Sequence, residues 1–285
     1  MRSQLIVSAS LLLTACGPGD RARLALPELT RLPPGEVRYV PPGEALRNGY
    51  PVTPAPKLVR YPNGFSIMTR QVSQADYAAC VGAGGCKPLD AAQRQASNAT
   101  LPASGISWTD ATAYAAWLSA GTGRRFRLPA YAEWVYAAGE AYQEAAVASF
   151  PDSTDPAQRW LAEYEQQSAR GEQADTALRP FGGYGVNTAG LKDMAGSVWD
   201  WTEDCHERRE LSVSAAVSAN TAPPGAPASS ADEAAGRNCG IRVAAGRHIA
   251  YLPDFIRDPK GGACSVGIPP ANLGVRLVLD EDPIS

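Results

Sequence analysis

The chain has 285 residues, with 26 lysines and arginines against 29 aspartates and glutamates, a formal net charge of −3. That balance, with no basic stripe, excludes a nucleic-acid partner recognised through its phosphates. Beyond the first segment no apolar run is long enough for a membrane helix, so any attachment to a membrane must come through lipid.

The N-terminus reads MRSQLIVSASLLLTACG. Arg2 supplies a short positive region, Leu5 to Leu13 an apolar run too short to span a bilayer, and Thr14-Ala15 lead into Cys16. This is the pattern of a secretory signal over residues 1–15. Leu13-Thr14-Ala15-Cys16 resembles the bacterial lipobox, whose cysteine is diacylated and becomes the mature N-terminus. Lipidation at Cys16 would anchor the chain in the bacterial cell envelope, on the periplasmic face. Gly17, where Asp would signal inner-membrane retention, points to the outer membrane. Cleavage removes only Arg2 among the charged residues, leaving 25 of the 26 basic groups against 29 acidic ones, or −4.

Residues 17–58 are rich in proline and glycine, and residues 16–36 are expected to form an extended tether. The folded domain is then expected over 37–281. NGFSIMTRQVSQADYAACV predicts a short strand and a helix, with Ser73 as N-cap and Asp76 three residues on. SWTDATAYAAWLSAGTG is the clearest helix. Ser107 and Asp110 match a capping box, Ala111, Tyr114, Ala115 and Leu118 share one face, and Gly121 or Gly123 can end it. RRFRLP predicts a short extended run, and Pro129 suits the first turn of a further helix, AYAEWVYAAGEAY. Its Ala130, Trp134 and Ala137 share a face, which reads as core.

Residues 140–180 look inserted, with one helix expected from Asp155-Pro156 onward. Residues 207–237 are low-complexity Ala/Pro/Ser, the composition of a mobile surface loop. Five cysteines remain once Cys16 is set aside for lipid, and export permits disulfides. Cys80 and Cys86 bracket the flexible VGAGG. Cys205 and Cys239 flank the low-complexity segment, where a bond would contribute roughly 3–4 kcal/mol by the chain-entropy argument. Cys264 is left over. Five thiols allow many pairings, and two-thiol metal binding competes, although neither pair has CxxC spacing.

NTAGLKDMAGSVWDWTEDC, residues 187–205, sets glycines, indoles and carboxylates close together. It is neither a clean strand nor an uninterrupted helix. It is either a tightly wound core loop or a loop wrapped around something.

Four motifs in order resemble the formylglycine-generating enzyme (sulfatase-modifying factor) family. They are GISWTDATAYAAWLSAGTGRRFRLPAYAEWVYAA, NTAGLKDMAGSVWDWTEDC, NCGIRVAAGR and ANLGVRLVLD, and the likeness runs from about Val37 to Leu279. The resemblance implies a single α+β domain with much irregular structure, distantly similar to C-type-lectin-like folds. It also implies a structural calcium ion in the loop after GL-D-M. The ligands would be Asp193 by side chain, Gly196 and Val198 by carbonyl, and Asp200 by carboxylate, a donor set calcium accepts. Asp200 stands where the family usually has glutamate. The competing reading is that Asp193 and Asp200 cap local turns.

Active members hold two nearby cysteines that bind copper(I) and activate oxygen, as soft thiolates can. Here the corresponding places fall at Ala250 or Tyr251 and at Phe255 or Ile256. Copper and formylglycine generation are therefore not expected. The groove carries Arg247, His248, Tyr251, Asp254, Arg257 and Asp258 instead. A hydrogen-bonded network that shapes the groove is the plain reading; His248, Tyr251, Asp254 and Cys264 are the catalytic candidates under the sharper one.

The RHxxYxxDFIRD variant is similar to a branch associated with nitrite reductase and denitrification clusters. The expectation is an extracytoplasmic accessory protein that binds a peptide or protein partner in its groove. The alternative is a metal-dependent oxidase or other enzyme using the substituted groove, as exported pyoverdine-maturation relatives suggest. A third option is a purely structural envelope protein.

Overall fold

A computed structural model describes residues 23–52, 54–91, 94–142, 158, 161, 165, 178–194, 196–211, 236–246, 255–257 and 272–283. The signal segment with Cys16, most of the 140–180 insertion, residues 212–235, and Arg247, His248, Ala250, Tyr251, Asp254, Asp258 and Cys264 lie outside them.

The centre is a four-stranded antiparallel sheet in the order β1 (Leu29–Leu32), β6 (Phe65–Met68), β12 (Val278–Pro283), β7 (Arg124–Arg127). Successive side chains of a strand point to opposite faces, and this sheet buries both. Ile67 and Val278 face a cluster with Leu32, Phe65, Trp134 and Leu191. Met68 and Leu279 face another with Ile106, Tyr114, Leu118 and Trp201. The sequence reading placed Leu29–Leu32 in the tether. The structure corrects this: Leu29 pairs with Met68 and Leu32 with Phe65. Leu24, earlier still, donates its N–H to the Gly121 carbonyl at 2.9 Å. The partner strand lies far along the chain, so a proline-rich context hid a core strand.

A second sheet runs β10 (Phe255–Arg257), β9 (Gly236–Ala245), β8 (Trp199–Glu210), β3 (Glu44–Arg47), β4 (Tyr50–Pro51), with β11 (Leu273–Gly274) added in parallel to β8. β2 (Gly35–Tyr39) and β5 (Lys57–Tyr61) form a separate antiparallel pair. Because β8 reaches Glu210 and β9 starts at Gly236, the low-complexity loop is shorter at both ends than 207–237. Backbone pairing of Glu207 with Arg237 draws both ends into the sheet.

Two helices follow their capping signals, and a third starts where its own carboxylate decides. In α1 (Gln74–Gly82) the Ser73 hydroxyl accepts the Asp76 N–H at 3.0 Å, and the Asp76 carboxylate accepts the Ser73 N–H at 3.1 Å. In α2 (Trp108–Thr122) Ser107 and Asp110 repeat the box, and Gly123, at φ 69°, ends the helix in the left-handed conformation that glycine adopts without strain. α3 (Tyr131–Ala138) begins later than the sequence suggests, with Ala130 rather than a residue before Pro129 at the N-cap. The reason is Glu133, whose carboxylate accepts the Ala130 N–H at 2.8 Å and fixes the first turn there. Trp134 is 3% exposed, as a core position should be. Among the described residues no helix is long and apolar enough to cross a membrane.

Candidate functional site

Residues 187–194 and 196–198 wind through tight turns, with Asp193 and Ser197 at φ 60° and 70°. The Asn187 side chain holds the turn shut. Its carbonyl accepts the Leu191 N–H at 2.8 Å, and its amide donates to the Ala137 carbonyl on α3 at 2.8 Å. Asp193 is 2% exposed and serves two amides at once: Oδ2 accepts the Gly182 N–H and Oδ1 the Tyr184 N–H, each at 2.8 Å. Its carboxylate therefore ties the loop to residues 182–184. Gly196 lies against Tyr184, and a methyl group there would collide with the ring.

The loop delivers Asp200 to a fully buried polar hub. Arg276 and Asp200 meet at 3.3 Å from Nε to Oδ2, with side-chain exposures of 0% and 2%. The Trp134 indole donates to the same Oδ2 at 3.0 Å. The rest of the guanidinium is satisfied by main chain: Nη1 donates to the Met68 and Thr69 carbonyls at 2.9 Å, and Nη2 to the Lys192 carbonyl at 2.6 Å. One arginine thus joins β6, the 187–198 loop and β8. Burial pushes the Asp200 carboxyl upward against the downward pull of Arg276, Trp134 and Gln71. Burial likewise pushes the Arg276 guanidinium downward, against Asp200 and Asp193. Each charge is tolerable only because the other is present.

Oxygen donors remain near this hub. Gln71 Oε1, Ser197 Oγ and Asp200 Oδ1 are buried with no hydrogen-bond partner among the described residues. Among the described residues the Val198 carbonyl receives a long contact, 3.5 Å from Gln71 Nε2. No group of three or more His, Cys, Asp or Glu side chains converges in the described residues, so any cation here would depend on carbonyl, amide and hydroxyl oxygens as well.

Sequence reasoning missed Arg276, Trp134 and Gln71 as members of this site. The signal was present in LGVRLVL, an arginine within an apolar run, since arginine is almost never fully buried without a partner. Phe255 and Ile256, the alternative places that the resemblance sets for one of the two cysteines, lie in β10 opposite Val243 and Arg242. The segment 247–254, which links β9 to β10 and carries most of the polar cluster, is outside the described residues.

Both expected disulfides are present. Cys80–Cys86 closes the end of α1, and Cys205–Cys239 crosses from β8 to β9. Residues 17–281 match the sulfatase-modifying factor enzyme 1-like domain. The chain belongs to that family.

Among characterised members, the formylglycine-generating enzyme of Streptomyces coelicolor is 34% identical over 108 residues, covering 35% of this chain and 31% of that protein. That of Mycobacterium tuberculosis is 34% identical over 112 residues, covering 38% and 34%. The alignments thus span about a third of the length of these relatives. PvdO from Pseudomonas aeruginosa has a similar structure, with a TM-score of 0.53 at 23% identity over 89% of this chain and 94% of that one. That likeness shows the fold, a single formylglycine-generating-enzyme-like α+β domain.

Proposed function

We propose that this sulfatase-modifying-factor-like protein is exported, lipid-anchored through Cys16, and acts by binding a peptide or protein partner rather than by maturing sulfatases. The use of its thiols carries this reading. Of six cysteines in the chain, Cys80, Cys86, Cys205 and Cys239 are committed to two disulfides. Cys16 sits in the lipobox, which leaves Cys264 alone. A copper(I) centre held by paired thiolates needs two sulfur donors, and alanine, tyrosine, phenylalanine or isoleucine stands at the corresponding places. The denitrification setting rests on the RHxxYxxDFIRD resemblance. A partner from an envelope nitrite-reducing system is the matching ligand class.

Calcium belongs to the same reading as a structural ion. The donor chemistry fits in part: Asp200 Oδ1 and the weakly engaged Val198 carbonyl have spare capacity, and Gln71 Oε1 and Ser197 Oγ add neutral oxygens. With the Gly196 carbonyl, these groups would hold the ion. Asp193 already accepts one amide on each oxygen and would contribute through its remaining lone pairs. When bound, calcium supplies a cross-link that stiffens the loop. Arg276, which already offsets the Asp200 charge, keeps that binding weak.

The test is direct. Purified protein loaded with copper(I) is incubated in air with a sulfatase-derived cysteine peptide, beside the Streptomyces coelicolor enzyme as a positive control. The expected result is an unchanged peptide mass with this protein; conversion of the cysteine to an aldehyde overturns the proposal.

A further inference from the structure

The two disulfides of this protein sit in opposite surroundings. At Cys80–Cys86 the cysteines are 0% and 8% exposed. At Cys205–Cys239, Cys205 is half-buried and Cys239 is exposed. Among the described residues, a cation is fixed beside one sulfur of this second pair, that of Cys205. Cys205 on β8 stands opposite Arg242 on β9, and Arg242 Nη1 lies 3.2 Å from Cys205 Sγ. The guanidinium carbon is held 3.6 Å above the centre of the Trp108 ring. Trp108 is itself pinned, its indole donating to the Thr202 carbonyl at 2.9 Å. The positive charge is thereby stacked in place, with its edge on sulfur.

We propose that Cys205–Cys239 is a thiol-exchange site, opened by an external thiol or dithiol at Cys239 with Cys205 as the leaving group. Exchange proceeds by attack of a thiolate on one disulfide sulfur. Its rate rises with access to that sulfur and with the acidity of the departing thiol. Cys239 offers the access. Arg242 stabilises the thiolate that forms on Cys205, since a neighbouring guanidinium favours the charged form. In the first step the incoming thiolate bonds to Cys239 Sγ, the Cys205–Cys239 bond breaks, and its electron pair stays on Cys205 beside Arg242. In the second, the other thiolate of a dithiol attacks the incoming sulfur. Cys239 leaves as thiolate and the reductant departs as its own disulfide, two electrons having passed to the protein. The covalent ring that the bond closes from Cys205 to Cys239 is opened, while backbone pairing keeps Glu207 opposite Arg237.

The full mature chain is first treated with N-ethylmaleimide to block Cys264, then exposed to dithiothreitol, and samples are quenched with an isotopically heavy maleimide and mapped by mass spectrometry. Cys205 and Cys239 are expected to acquire label at least about tenfold faster than Cys80 and Cys86. With glutathione as a monothiol probe, the trapped mixed disulfide is expected on Cys239. Arg242→Gln should slow opening of this pair by roughly threefold or more while leaving Cys80–Cys86 unchanged, and Arg242→Lys should recover part of the rate. Equal rates for the two disulfides, glutathione on Cys205, or an Arg242→Gln rate that is unchanged or faster each overturn the proposal. Should circular dichroism show Arg242→Gln unfolded, the position of glutathione on the wild-type chain decides alone.

Discussion

Arg276, in the link between β11 and β12, and Arg127, on β7, are both gripped by carboxylates, yet they belong to different physical regimes. Arg276 is 0% exposed and meets one carboxylate, Asp200. Arg127, with 28% of its side chain exposed, holds Glu133 at 2.6 Å and Asp280 at 2.7 Å, with Glu203 at 3.8 Å. Burial pulls the Arg127 guanidinium down, but its bonds to Glu133 and Asp280 outweigh that and hold it above its ordinary value. Arg276 moves the other way because its complete burial outweighs the opposing pull of Asp200 and Asp193. The same ion-pair chemistry is thus a stabilising clasp at the rim and, in the interior, a pair that neither partner can leave.

The largest effect expected from this contrast is at the hub. Arg276→Leu strands the Asp200 charge and should destabilise the fold by about 3–5 kcal/mol, read as a fall in the urea midpoint. Adding Asp200→Asn should restore about half of the loss. A double variant no more stable than the single one would remove the coupling argued here. At the rim, Glu133→Ala breaks a bidentate pair and an N-terminal helix bond together. It should cost about 1–2 kcal/mol, with Asp280 still holding Arg127. A loss equal to that at Arg276 would erase the distinction between the two clusters.

Asp193 sharpens the comparison within the buried region. Asp193→Ala frees two amides and should lower the melting temperature, and the loss should be greater in calcium than in chelator. Identical losses in both would leave Asp193 as a turn fastener alone and withdraw it from the calcium donors. The smallest effect is at the α1 cap, where Asp76 is half-buried. Burial pushes the Asp76 carboxyl up, but hydrogen bonds from Ser73 and the charge of Arg70 hold it below its ordinary value of 3.8. Its stabilisation is therefore present above about pH 4 and lost as pH falls through the lowered folded value. Asp76→Asn should cost about 0.5–1 kcal/mol at pH 7, and the gap to wild type should close in acid. A gap that persists at pH 2 would assign it to the shape of the cap rather than its charge.

Much of the helical frame was legible because its causes are local. Ser73 with Asp76 and Ser107 with Asp110 announce helix starts within four residues, and Gly123 ends α2 by its own conformational freedom. The cysteine pairs were legible as candidates because their spacing brackets flexible segments. β1 was not, since the four residues Leu29–Leu32 become a strand only when β6 supplies its edge. The start of α3 was misjudged by the weight given to Pro129, when the Glu133 carboxylate decides the cap. Asp200 was read as a candidate ligand from the family resemblance, and nothing near it in the sequence could disclose Arg276, 76 residues away.

By itself the sequence determined the family, the caps of α1 and α2, and the thiols available for pairing. Each of these is a matter of which residue types occur at short, fixed separations. Only the tertiary structure decided which charges are buried together, which disulfide sulfur lies under a cation, and which oxygens are left with spare lone pairs. Those properties depend on groups far apart in the chain, and on how much water the fold leaves between them.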